Sequence, residues 1–249
     1  MSAAAPTPAP APVPASSRRK PPGILRGVFI LLGKDLLLEW RTRARLNALL
    51  FFALATLLLF SFALGPDTKL LARNAGGYFW LALLFSSVLA LGESFRVETE
   101  NNALDGLRLA PADARSLFLG KALGNALLLF GMGCLILPVM VALYGVSLDP
   151  PVEQTGKFLL VLLLGCLAIS APGTVYSAVA NNARARDVLL PLLLFPLIIP
   201  ALLAATKATG LVLQGDPMEQ LESWLLLLAG FDVIYWGLGV ALFGRVIEE

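Results

Sequence analysis

The chain has 249 residues, of which 57% are hydrophobic and only 14% charged, with a mean hydropathy of +0.79. A soluble globular protein carries close to a quarter charged residues, so this composition excludes a soluble enzyme and points to a chain that crosses a membrane several times. A net charge of +2, from 19 basic and 17 acidic residues with no long basic block, leaves no footprint for nucleic acid.

Residues 1–22 alternate Ala and Pro (Pro6, Pro8, Pro10, Pro12, Pro14) and end in Arg18, Arg19 and Lys20. Such a segment cannot bury a core and reads as a disordered tail. The apolar run after it, Ile24 to Leu32, is short, meets Lys34 and Asp35, and has no small-residue cleavage site, so it is not a removable leader. Residues 23–45 have helical spacing: Leu25, Phe29, Leu32, Leu36 and Trp40 share one face, with Lys34, Arg41 and Arg45 opposite. This predicts an amphipathic helix lying in the membrane interface, with Glu39 and Arg43 in the favourable acid-first order four apart. A helix packed on a partner fits the same pattern.

Residues 46–249 contain six apolar runs: Leu46–Leu64, Gly76–Phe95, Ala122–Tyr144, Phe158–Ala180, Val188–Thr206 and Trp224–Gly244. Each has about the 20 residues needed to cross a hydrocarbon core of about 30 Å as a helix. Backbone groups at that depth have no water to bond, which leaves helices as the spanning structure. The predicted fold is an all-α membrane protein with six transmembrane helices after an interfacial helix. Basic residues number fifteen on the side of the termini and four (Lys69, Arg73, Lys157, Lys207) on the other, which places both termini in the cytoplasm.

The longest cytoplasmic loop, from Glu93 to Lys121, mixes charge with Leu104, Leu107 and Leu109, while Gly106 and Pro111 limit any helix. It reads either as a short helix offering apolar residues to a cytoplasmic partner or as a solvated hairpin. Pro172-Gly173 in the fourth span, and Pro191, Pro196 and Pro200 in the fifth, predict bends or breaks that could form a hinge or cavity; tolerated prolines are the alternative. In the last span Asp232 lies about 12 Å in from Trp224 at 1.5 Å per residue. A charge there costs at least about 2.5 to 3.5 kcal/mol, so it should face the bundle interior, paired, hydrogen-bonded or protonated. It serves either as a contact that rearranges between two states or as a packing hydrogen bond, with Gly230 and Gly237 allowing close approach.

Cys134 and Cys166 lie inside apolar runs and form neither a disulfide framework nor a zinc spacing. There is no histidine, so the commonest general base and metal ligand are missing and any chemistry has to come from a partner.

Three stretches carry a resemblance. Glu98-Thr99-Glu100 through Leu104-Asp105-Gly106-Leu107, with Pro111 and Gly120-Lys121, resembles the cytoplasmic loop of ABC-2-type exporter permeases, within them the haem exporter B family of the cytochrome c maturation system. Lys34-Asp35-Leu36 with Glu39 and Arg41, and Leu190-Pro191-Leu192-Leu193-Leu194-Phe195-Pro196 with Pro200, are similar to the same family. The likeness covers Leu31 to Glu249, and the tail up to Pro22 departs from it. It implies a multi-pass permease of the bacterial inner membrane that forms a dimer. Its implied partners are an ATP-binding ABC subunit, a haem-handling membrane subunit, a small accessory membrane subunit and a periplasmic haem chaperone. Carried onto this chain, Glu98, Glu100, Leu104, Asp105 and Leu107 would couple to the ATPase, and Lys34, Asp35, Glu39 and Arg41 would brace that coupling.

The residues agree at one point. Gly33-Lys34, Gly120-Lys121 and Gly156-Lys157 have Val28, Arg115 and Pro151 five positions before the glycine, and no Ser or Thr after the lysine, so no phosphate-cradling loop exists. ATP belongs to a partner. Haem would have to be ligated by Met132, Met140, a cysteine or a tyrosine, which read better as packing residues; haem too is expected on partner subunits, with no cofactor on this chain. The rivals are an ABC-2 exporter of a lipid, polysaccharide or drug, and a membrane scaffold that moves nothing. An intramembrane hydrolase fails because no His accompanies any Ser.

Overall fold

The computed structural model of the chain describes residues 23–65, 67–95, 113–146, 148, 151–181 and 186–248. The expected tail lies outside them, as does most of the loop that follows the second span. Among the described residues there are seven helices and no strand: α1 Ile24–Thr42, α2 Ala44–Leu64, α3 Thr68–Glu93, α4 Ala114–Tyr144, α5 Pro151–Asn181, α6 Arg186–Gln214 and α7 Leu221–Glu248. The last six are each long and apolar enough to cross a membrane.

Every predicted span is found, but α3, α4 and α5 begin earlier than the apolar runs do. α4 starts at Ala114, where the Asp113 side chain accepts from Arg115 N, so Gly120 and Lys121 are helical and not part of a loop. At about 1.5 Å per residue its 31 residues extend about 46 Å, beyond the hydrocarbon core. α3 is likewise capped by Asp67, whose carboxylate accepts from Leu70 N. The single amphipathic helix expected to reach Arg45 is two elements. Arg43 adopts a left-handed conformation (φ 42°) that ends α1, and α2 starts at Ala44, so Arg45 belongs to the first span. Glu39 accordingly pairs with Arg45 at 3.0 Å, while Arg43 stacks over the Trp40 ring.

α5 is the centre of the bundle, packed on α3, α4, α6 and α7, with α1 laid against α4. Two-thirds of the spanning window of α5 is buried against 17% for α7 and 22% for α2. The outer pair therefore presents Phe51, Phe62, Leu226, Val233 and other large apolar side chains outward, as a bilayer allows. Close approach is set by small residues. A Cβ on Gly165 would lie 2.1 Å from the Trp80 ring, and on Gly239 2.1 Å from the Phe118 ring. Gly230 and Gly237, expected to serve this purpose on α7, meet nothing within 4 Å; Gly239 is the contact.

The prolines do not break their helices. Pro172 lies inside continuous α5, and Pro191, Pro196 and Pro200 inside continuous α6, as does Pro138 in α4. Neighbouring helices and local adjustment can satisfy freed carbonyls at depth. Gly173 serves packing, since a Cβ there would lie 2.4 Å from Leu91 Cδ1.

Candidate functional site

Where α3 ends and the segment 96–112 begins, polar groups from four helices meet. Lys121 on α4 is only 4% exposed, and its ammonium lies 3.1 Å from Asp35 Oδ2 on α1. It also donates to the carbonyl of Ser94 at 2.8 Å and sits 5.4 Å from the centre of the Phe95 ring. A buried ammonium is tolerated only when paired and hydrogen-bonded, and this one is both. Asp35 shares its other oxygen with Lys34 at 3.3 Å.

One helical turn deeper on α4, the Asn125 amide bonds the Ser94 hydroxyl at 3.1 Å and donates to Thr174 Oγ1 on α5 at 2.9 Å. The Ser177 hydroxyl donates to the carbonyl of Leu91. The last turn of α3 is thus tied to α4 and α5 by side chains, and through Lys121 to α1. Contact is close because residues are small: a Cβ on Gly120 would lie 2.9 Å from Leu31 Cβ, and one on Gly27 3.0 Å from Ser116. A second tie runs from Glu39 to Arg45, which also donates to the Ala90 carbonyl.

Among the expected site residues, the structure gathers Asp35 and Glu39 into this network and Lys34 at its edge. Arg41 is exposed and enters none of these contacts. The inward face of α1 therefore combines Gly27, Val28 and Leu31 with the acids Asp35 and Glu39, while Leu25, Phe29 and Trp40, at 70% exposed or more, turn outward. Glu98, Glu100, Leu104, Asp105 and Leu107 lie outside the described residues; among the described residues the network reaches Ser94 and Phe95, just before them. Sequence reasoning missed Ser94, Asn125 and Thr174. Lys121 and Asn125 stand four apart on one helical face, a signal hidden by reading Lys121 as loop.

Asp232 faces the interior, as expected of an intramembrane acid. It is 8% exposed, and among the described residues neither carboxylate oxygen has a hydrogen-bond partner. Of the two roles open to it, the packing hydrogen bond is not seen among the described residues. Met132 and Met140 lie in the apolar core, at 1% and 0% exposed. No group of three His, Cys, Asp or Glu able to hold a metal exists among the described residues.

Comparison with known proteins gives a consistent result. Residues 26–244 match the family described as CcmB protein. Heme exporter protein B of Pseudomonas aeruginosa is 34% identical over 197 residues, 79% of this chain and 86% of that protein. The Rhodobacter capsulatus protein of the same name is 33% identical over 80% of this chain and 88% of its own length. That of Escherichia coli K12 is 34% identical over 74% and 82%.

Proposed function

The chain belongs to the CcmB protein family, and from that premise we propose that it is the membrane permease subunit of an ATP-driven haem exporter of the bacterial inner membrane, acting in cytochrome c maturation. ATP is hydrolysed by a separate ABC subunit docked on Glu98, Glu100, Leu104, Asp105 and Leu107, and the work moves haem or releases a haem-loaded periplasmic chaperone. A haem-handling membrane subunit, a small accessory subunit and a second permease copy complete the complex. Both termini face the cytoplasm, so the network around Lys121 lies at the ATPase side and α1 lies in the interface. Haem iron is ligated by partners, and this chain carries no resident cofactor.

The observation that carries this reading is the Lys121 network. The segment that would meet the ATPase leaves α3 directly after Ser94 and Phe95, whose carbonyl and ring hold the Lys121 ammonium. A displacement of that segment pulls on Ser94, and the bonds through Asn125 to Thr174 pass the pull to α5, the element packed on most of the bundle. Small shifts become discrete rearrangements when the elements between are close-packed.

The test is ATPase activity and c-type cytochrome yield of the co-expressed complex with Glu98, Glu100 and Asp105 all replaced by Ala. Both should fall while this chain stays in the membrane. Unchanged cytochrome yield with the ATPase dissociated would instead make the chain a scaffold.

A further inference from the structure

At the end of the bundle opposite the Lys121 network, a cavity of about 530 Å³ opens between the first turns of α3, the last turns of α6 and the start of α7. Its size is that of a small-molecule site, a few hundred to about 1,000 Å³. Arg73 and Lys207 line it and no carboxylate does. Among the described residues neither cation is in a salt bridge. A neighbouring cavity of about 350 Å³ shares Arg73 and Gln214 and adds Lys69, again without a carboxylate.

None of the described acids at this end lines either cavity: Glu219 and Glu222 are exposed around the start of α7, and the others are engaged elsewhere. Asp67 caps α3, Asp216 accepts from the backbone at the start of α7, and Glu153 pairs with Lys157 at 2.6 Å. Only four of the nineteen basic residues stand at this end, Lys69, Arg73, Lys157 and Lys207. Three of those four border the two cavities.

The walls are fixed by cross-helix bonds. Trp80 Nε1 donates to Thr209 Oγ1 at 2.9 Å, and Gln214 Nε2 donates to the Arg73 carbonyl at 2.9 Å. Beside the cations the lining is aromatic and aliphatic, with Tyr78, Trp224 and Leu81. Cations next to an aromatic, apolar wall suit a molecule with acid groups at one end and an apolar body at the other.

We propose that this cavity binds an anionic amphiphile, Arg73 and Lys207 holding its carboxylate or phosphate oxygens while Tyr78 and Trp224 cover the adjoining apolar body. Two sources share that chemistry: the propionates of a tetrapyrrole and the headgroup of an anionic phospholipid. The tetrapyrrole source rests on the haem-export reading, and it narrows that reading, since the cargo's acid groups would touch this chain while its iron does not.

The test uses the full chain in phosphatidylcholine nanodiscs, titrated with iron-free protoporphyrin, whose fluorescence reports binding without iron ligation. R73Q/K207Q should bind at least roughly tenfold more weakly than wild type, as expected when charge-assisted hydrogen bonds are lost. R73K/K207R should keep most of the affinity, and the porphyrin dimethyl ester should bind wild type as weakly as the free acid binds R73Q/K207Q. In parallel, native mass spectrometry counts phosphatidylglycerol retained from the membrane. If only lipid retention depends on the two charges, the occupant is a lipid: the site stands and the haem reading loses this support. Ester and acid binding alike removes the tetrapyrrole source alone, and the proposal is overturned if neither probe responds to R73Q/K207Q or if R73K/K207R loses as much as R73Q/K207Q.

Discussion

At the end of the bundle where the 96–112 segment attaches, Lys121 and Arg45 are pulled into the protein and paired with Asp35 and Glu39. At the opposite end Arg73 and Lys207 are exposed and border a cavity that no carboxylate among the described residues lines. The difference is one of stoichiometry and depth. Charges placed between helices must be paired and hydrogen-bonded, so they lock the helices that carry them. Charges at a rim stay solvated, lock little, and remain available to an incoming anion. One end of the molecule is thus built to hold α1, α3, α4 and α5 in register, the other to receive something.

The largest effect should come from removing the acid of the buried pair. Asp35→Ala deprives the Lys121 ammonium, 4% exposed, of its carboxylate, a change that costs about 3 kcal/mol when a buried pair loses one member. The double replacement with Lys121→Met should recover part of that loss, whereas Arg73→Met at the other end should shift stability by less than about 0.5 kcal/mol. Reversible unfolding in mixed detergent micelles would measure all of these. An Asp35→Ala loss no greater than that of Arg73→Met would erase the distinction between the two ends.

Between the ends, packing is decided by where glycines sit. Gly165→Ala forces a Cβ to 2.1 Å from the Trp80 ring, so it should destabilise by about 2 kcal/mol through overpacking. Gly237→Ala, with nothing within 4 Å, should be neutral or slightly stabilising, because alanine is the better helix former. Equal losses from the two would mean that α3 and α5 are not as close as Trp80 and Gly165 require. Smaller again is Thr209→Val, which keeps the shape but leaves the buried Trp80 N–H without its acceptor, at about 1 to 2 kcal/mol. Placed beside the cavity, it should also weaken protoporphyrin binding if that wall positions Arg73.

The six spans were legible because each must carry about 20 apolar residues, and nothing else in a soluble or β-rich chain looks like that. Their true starts were not. Hydropathy stops counting at charges, so α3 and α4 were read as beginning at Gly76 and Ala122, although the helices continue outward through Lys69, Arg73, Arg115 and Lys121. The backbone has no reason to unwind where the bilayer ends, and it stops only where Asp67 and Asp113 cap it. Lys121 was hidden by the same habit, since a lysine reads as solvent-facing until a second helix brings an aspartate to it. The interior position of Asp232 could be read from cost alone. The companion glycines could not be read without the helical phase: Gly239 is seven residues on from Asp232, two turns later on the same face, whereas Gly230 and Gly237 fall away from it. The acidic inner face of α1 was invisible too, because Asp35 and Glu39 look like surface residues until Lys121 and Arg45 are seen opposite them.

The smallest expected effect tests whether the receiving end is held by its caps. Asp216 accepts from Gln220 N at 2.9 Å and Leu221 N at 2.7 Å, anchoring the first turn of α7 beside Trp224 and the cavity. Those backbone bonds, Gln220 first and Leu221 next, hold its carboxyl below the ordinary aspartate value of 3.8. A lowered folded pKa means stabilisation that is fully present above the unfolded value and lost as pH falls through the folded one, so the start of α7 should loosen only in acid below about pH 3.8. Amide exchange across residues 221–226, corrected for the intrinsic rate, should rise in that window in wild type, while Asp216→Ala should show the raised exchange already at pH 6. The Lys121 end, measured in the same experiment, should not respond to Asp216→Ala, and a response there would join two regions that the geometry keeps separate.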